Sequence, residues 1–217
     1  MSKPAPETIG PAKTGRAQRT REALIQAGRE LFSERAVDAV AIDDIVRAAD
    51  VAKGSFYNHF TDRDDLVKAV VGQIRRDLEA RVGEVNAGVE DPARRVARAV
   101  CVYQRYALDE PQRARVMVRI QSGFASLTSP VNQGGVDDIT AGLASGRFTI
   151  ATVEAGVLFV MGVSQTAMAR TSRDPQPALA TSLAQQVCAL ILRGLGVPSA
   201  EAESIAAQAA DEIVRAG

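Results

Sequence analysis

Lys53-Gly54-Ser55-Phe56-Tyr57-Asn58-His59-Phe60 follows the apolar-periodic run Ile42 to Ala49 after a break of three residues, Asp50-Val51-Ala52. Two eight-residue helices joined by so short a link, and preceded by an amphipathic helix, have the dimensions of a helix-turn-helix. In that motif the second helix enters the major groove of DNA. Phe56 and Phe60 stand four residues apart and share a face. With those rings inward, Lys53, Gly54, Tyr57 and Asn58 turn outward. Lys neutralises phosphate or reaches guanine, hydroxyls such as those of Ser55 and Tyr57 donate to phosphate, and Asn pairs with adenine. Gly removes the side chain where backbone meets base edges. Taken singly, Tyr57 and His59 are as readily packing groups at a helix end as DNA contacts. Yet three of the nine aromatic residues fall within residues 56–60.

Upstream, Leu24, Ala27, Leu31 and Phe32 recur at helical spacing and predict a first helix from near Thr20 to near Arg35. Residues 1–15 are expected to be a flexible tail, because Pro4, Pro6, Gly10, Pro11 and Gly15 interrupt any helical period. Lys13, Arg16, Arg19 and Arg21 place four positive charges and no acid within nine residues. Such a run is either a solvated face or a basic arm for the minor groove and flanking phosphates.

Downstream, Asp62 with Asp65 three residues later forms a carboxylate variant of the capping box in front of a long apolar run. Leu66, Val70, Ile74, Leu78, Val82 and Val85 carry that run to Gly88 and Asp91-Pro92. The domain boundary is placed inside this helix, with a DNA-binding domain over 16–66 and a second helical domain over 67–217. Asp91-Pro92, Glu110-Pro111, Ser129-Pro130, Asp174-Pro175 and Pro198-Ser199 punctuate the remainder and predict five or six more helices. The segment from Phe148 to Arg170 is apolar on more than one side and rich in small residues, as expected of a helix buried between others.

The 217 residues carry 26 Lys and Arg against 26 Asp and Glu, so net charge points to no partner. Aromatics are 4% of the chain and Trp is absent, which suits packed helices better than sheets and gives an all-α fold class. Two distant cysteines, Cys101 and Cys188, and the single His59 rule out most zinc sites, and no metal is expected. The thiols are either two buried free cysteines or a redox-sensing pair. The first fifteen residues hold no apolar stretch of secretory length, and Ala155 to Ala169 falls short of a membrane span. A cytoplasmic protein with no membrane partner is expected. Gly-rich phosphate loops, a Gly-x-Ser-x-Gly elbow and metal-ligand spacings are missing, so no catalytic residue and no cofactor is assigned.

The residues from about Thr20 to Leu66 resemble the DNA-binding domain of the TetR family of transcriptional regulators. The resemblance is carried by Glu22-Ala23-Leu24-Ile25, Leu31-Phe32, Ile42-Asp43-Asp44-Ile45, Val51 to Phe60 and Arg63-Asp64-Asp65-Leu66. It implies that Lys53, Gly54, Ser55, Tyr57 and His59 touch DNA and that Arg63, where the family usually has Lys, holds a phosphate. Asn58 joins them from its outward position. The sequence departs from the family pattern at Ala36, Val40, Ala41 and Asp50. Ala41 cannot cap the second helix with an oxygen, and Asp43 and Asp44 stand where the family often presents a cation or hydroxyl to phosphate. Non-specific DNA binding weaker than usual is therefore expected.

The resemblance further implies a C-terminal domain for ligand binding and dimerisation, with two late helices of each subunit forming a four-helix bundle. Phe148 to Arg170 and Pro177 to Leu195 fit that role. A homodimer on a roughly palindromic double-stranded DNA operator follows, its recognition helices about 34–36 Å apart. Expected candidates for an effector pocket are Tyr103, Tyr106, Met117, Gln121, Phe124, Phe159, Met161, Gln165 and Met168. The implied function is repression, relieved by a small molecule; control by a protein partner, or activation, are the alternatives.

Overall fold

Every regular element among the described residues is helical. The computed structural model describes residues 11–120 and 132–216, with side chains from Gly15 onward. In chain order the elements are α1 (Pro11–Glu34), a 3-10 turn (Val37–Ala39), α2 (Ile42–Ala48), α3 (Lys53–Tyr57) and α4 (Arg63–Val85). These are followed by α5 (Pro92–Asp109), α6 (Pro111–Arg119), α7 (Gln133–Ala144), α8 (Val153–Arg173), α9 (Pro177–Gly194), α10 (Ser199–Ala209) and a π-type turn (Ala210–Arg215). The chain divides into two compact units between Val71 and Gly72, within α4. No described helix is long and apolar enough to cross a membrane.

The first unit packs around Leu24, Ala27, Phe32, Ile45, Phe56, Phe60, Leu66 and Val70, all buried. Against expectation, α1 begins at Pro11 and not near Thr20. Proline fits a first helical turn, and Gly15 slows a helix without ending it. Side chains support that early part: Gln18 donates to Glu22 at 2.7 Å, and the Thr20 hydroxyl donates to the Arg16 carbonyl at 3.1 Å. Gly28 lets α1 approach α4, since a β-carbon there would stand 3.0 Å from Leu66 Cδ2.

The turn between α2 and α3 closes as a Schellman motif: Val51 N–H donates to the Val46 carbonyl at 3.0 Å and Asp50 N–H to Arg47 at 3.2 Å. Asp50 has φ of 52°, a left-handed conformation that Asp adopts at modest cost. The helix α3 stops at Tyr57 and not at Phe60, the chain closing instead on the Phe56 carbonyl, which accepts from both His59 and Phe60 at 2.9 Å. At the start of α4 the Asp62 carboxylate accepts from Asp65 N–H at 2.8 Å. The Asp65 carboxylate returns to Thr61 N–H at 3.1 Å, one residue earlier than a regular capping box. Ala41 is the N-cap of α2, extended and without any side-chain bond.

In the second unit Pro92, Pro111 and Pro177 open helices, and Asp91 caps α5 by accepting from Ala93 N–H at 3.1 Å. Asp174-Pro175 lies two residues ahead of the α9 start, and Ser129-Pro130 lies outside the described residues. The helix predicted from Phe148 begins only at Val153, because Thr152 caps it and residues 148–151 form a tight connection. Phe148 covers Gly142 and Ile150 covers Gly156, both positions where a β-carbon would overlap the covering side chain. The helix α5 runs against α7, α8, α9 and α10, burying Val96, Val100, Cys101 and Ala107. Arg147 ties the unit together by donating to Asp91 at 2.9 Å and to Glu201 at 2.6 Å. Cys101 and Cys188 are free, fully buried and 3.7 Å apart.

Ala41→Ser supplies the missing cap of α2 and is expected to raise stability by about 1 kcal/mol. The check is a higher urea midpoint; an unmoved one counts against the cap. Gly142→Ala is expected to lose about 1–3 kcal/mol by forcing the buried Phe148 ring aside, visible as an earlier thermal transition.

Candidate nucleic-acid interface

A five-residue helix has too few internal hydrogen bonds to persist alone, so α3 is held by what it buries. That anchor is Phe56, with no solvent exposure, whose ring meets Phe60 at 5.7 Å between centroids. The Arg21 guanidinium covers Phe60 from α1 at 5.2 Å, a cation–π contact. Tyr57 stands edge-on to Phe56 at 5.4 Å while remaining 55% exposed. Its ring is thus seated against Phe56 while more than half of the residue remains accessible.

Around this anchor the structure brings Lys53, Gly54, Tyr57 and Asn58 to one exposed face, while Ser55 and His59 sit half-buried at its margins. Nothing lies within 4 Å of a β-carbon built on Gly54. Packing within the chain therefore does not call for glycine there. The space is open toward solvent, as backbone approach to base edges would require.

The cations of this region are all engaged. Lys53 Nζ is 2.7 Å from Asp43 Oδ1, and that bond pushes the ammonium pKa upward. Arg35 is 3.0 Å and Arg47 3.4 Å from the Asp44 carboxylate, whose pKa is lowered chiefly by the Arg35 hydrogen bond. Arg63 is half-buried and donates to the Asp38 carbonyl and carboxylate, each at 3.2 Å, tying the start of α4 to the 3-10 turn. Asp38, Arg35 and Arg47 were not singled out from sequence. Arg35–Asp44 and Arg63–Asp38 bridge separate elements and leave no periodic signal, whereas Arg47–Asp44 is an i, i+3 pair within α2. Arg16 and Arg19 are exposed on α1, so the basic run is helical and not an extended arm; the Lys13 side chain lies outside the described residues.

Of the pocket candidates, Tyr106, Met117 and Met168 are buried, and Tyr103, Met161 and Gln165 are half-buried. Phe159 departs from the expected interior position: it is 38% exposed and covers Gly194 of α9. Gln121 and Phe124 lie outside the described residues. Sequence reasoning passed over the charged groups near Tyr103. Burial raises the Tyr103 phenol, the Glu79 carboxyl and the Asp138 carboxyl, and lowers Arg75. Asp138 is compensated by Arg95 at 2.5 Å, and the buried Gln104 accepts from the Thr171 hydroxyl at 2.7 Å. A groove of about 380 Å³ runs along Arg81, Val85, Arg98, Val102, Arg105 and Ile213. None of the described pocket candidates lines it.

Comparison with known proteins places both units. Residues 24–70 match the family model for bacterial regulatory proteins of the tetR family. Residues 91–208 match that for the tetracyclin repressor-like C-terminal domain. The HTH-type transcriptional repressor KstR2 of Rhodococcus jostii (strain RHA1) is 28% identical over 211 residues, covering 90% of this chain and 97% of that protein. The HTH-type transcriptional repressor DhaR of Mycobacterium sp. (strain GP1) is 37% identical over 62 residues, 29% of this chain and 31% of its own length. The chain thus matches less than a third of DhaR. Among solved structures, RolR in complex with resorcinol shares 28% identity and a TM-score of 0.61, covering 90% of this chain and 96% of that one.

Gly54→Ala separates folding from recognition. Helix propensity predicts a gain of about 0.5–1 kcal/mol in stability, while the added methyl obstructs close approach and weakens duplex binding. Paired thermal melts and DNA titrations check it; equal DNA affinity would remove Gly54 from the contact face.

Proposed function

Since the chain belongs to the TetR family of bacterial transcriptional regulators, we propose that it is a homodimeric repressor, released from a roughly palindromic operator by a small molecule and acting in the cytoplasm. The observation that carries the reading is the exposed face of Lys53, Gly54, Tyr57 and Asn58, fixed by the buried Phe56. Ser55 and His59 at its margins, and Arg63 at the start of α4, complete the DNA-binding set. A face of this width supplies phosphate neutralisation and base-edge contacts together.

Dimerisation is supported by apolar surface left uncovered in a single chain. Leu158 and Phe159 on α8 and Leu179 and Leu190 on α9 are exposed, Leu190 to 54%. Ala155, Gly162 and Ala169 recur on α8 with them, small enough to let helices approach. Two copies related by a two-fold axis would pair these helices as a four-helix bundle and present two α3 helices to successive major grooves.

For the effector, RolR has been solved with resorcinol, a small hydroxylated aromatic. The buried, apolar Met117 and Met168 and the half-buried phenol Tyr103, on the mutually packed α6, α8 and α5, favour a molecule of comparable size with an apolar body and few polar groups. Ordering of the second unit by that molecule would act on DNA affinity through α4, which belongs to both units.

The test is fluorescence anisotropy of the protein on DNA from upstream of its own coding region, against a scrambled duplex, over a salt series. A sequence-specific, salt-sensitive complex holding two subunits is expected. Equal affinity for both duplexes, repeated on fragments from a genome-wide binding selection, would overturn the reading. Leu190→Glu is expected to yield monomers in sedimentation and to weaken the specific complex about 10²-fold or more, through lost bivalency. A dimer surviving that change would move the interface elsewhere.

A further inference from the structure

Between residues 35 and 65 the sequence has four cations, Arg35, Arg47, Lys53 and Arg63, against seven aspartates. Each of the four lies within 3.4 Å of an aspartate: Arg35 and Arg47 on Asp44, Lys53 on Asp43, and Arg63 on Asp38. A surface meant for a polyanion is thus neutralised by its own chain.

The pairs differ in what else holds them. Arg35 also donates to the Ala39 carbonyl and Arg63 to the Asp38 carbonyl, so both arginines pin backbone as well as charge. Lys53 and Asp43 are 58% and 59% exposed, and they join the first residue of α3 to the first turn of α2. An exposed pair of this kind contributes little to stability. Its consequence falls on the DNA.

We propose that Asp43 is a specificity-determining residue that acts through Lys53: it withdraws this cation from the set available to any phosphate, so that random duplex is bound weakly and base contacts carry a larger share of recognition. The inference rests on α3 being the recognition helix. A free lysine that neutralises a phosphate releases about 0.9 of a condensed counterion. Lys53 leaving Asp43 for a phosphate uncovers a carboxylate beside the polyanion. That carboxylate takes up a cation in turn, so the net release from this contact falls toward zero. Asp43 is a positioning residue in this scheme; Lys53 makes the contact.

The experiment uses the full chain and a random-sequence duplex, with anisotropy titrations from 50 to 200 mM salt. Asp43→Asn is expected to steepen the log–log salt slope by about 0.9 and to tighten binding about eightfold at 0.1 M salt, the 0.9 power of a tenfold dilution from 1 M. The ratio of affinity for the upstream fragment to that for random duplex falls correspondingly. Lys53→Gln in the Asp43→Asn background is expected to abolish the gain, and Asp43→Glu to restore wild-type behaviour. A wild-type slope in Asp43→Asn, or a gain that persists without Lys53, overturns the proposal. Wild-type protein that binds random duplex with no salt dependence overturns instead the assignment of α3 as the DNA-reading element.

Discussion

The face proposed for DNA depends on the burial of one ring. Phe56 fixes the rotation of a helix with only five residues, and no other buried side chain lies within α3 itself. Burying a phenylalanine contributes about 1.5–3 kcal/mol, which is large beside the propensity of a segment that contains Gly54 and Ser55. Phe60 and Arg21 extend the anchor to the neighbouring loop and to α1. Which side chains face outward is therefore a consequence of core packing, and Tyr57 shows it most plainly, its ring edge-on to Phe56 while the residue stays largely exposed.

That dependence explains why this part of the fold was legible. The i, i+4 spacing of Phe56 and Phe60 pointed to the two rings that turn inward, even though the helix itself ends at Tyr57, and the left-handed turn at Asp50 is one that Asp tolerates at modest cost. Features set by tertiary contact were less visible. The prolines and glycines ahead of Thr20 argued against helix, yet Pro11 can begin one. Thr152 overrode the apolar pattern that ran on from Phe148, since an N-cap oxygen on Ala155 N–H decides a helix start more firmly than hydropathy does. The pairs Arg63–Asp38 and Arg35–Asp44 join residues 25 and 9 apart with no helical period, so only the folded chain brings them together.

The second unit follows a different economy. It holds charge as well as hydrocarbon: Asp138 is buried but met by Arg95, and nearer the surface the half-buried Arg147 guanidinium is shared between Asp91 and Glu201. Such pairs cost desolvation and return it mainly as a defined arrangement of helices. The apolar surface withheld from this interior is concentrated on α8 and α9, where Leu158, Phe159, Leu179 and Leu190 are exposed. Phe159, expected inside, belongs to that outer group because Gly194 gives its ring a seat on α9. A pattern that is apolar on several sides predicts burial of each side against something, but not whether the cover comes from the same chain.

Cys101 and Cys188 are free, without solvent exposure, and both belong to the second unit; the first unit contains no cysteine. The hydrogen bond with Cys101, together with burial, pushes the Cys188 thiol pKa up and keeps it protonated, the form least reactive toward alkylating reagents. The native protein therefore carries an internal chemical clock for one of its two units. Modification of these thiols can proceed only as fast as the helices around α5 and α9 open, so alkylation timed by mass spectrometry reports the opening of the second unit alone, with no engineered label and no signal from the DNA-reading end.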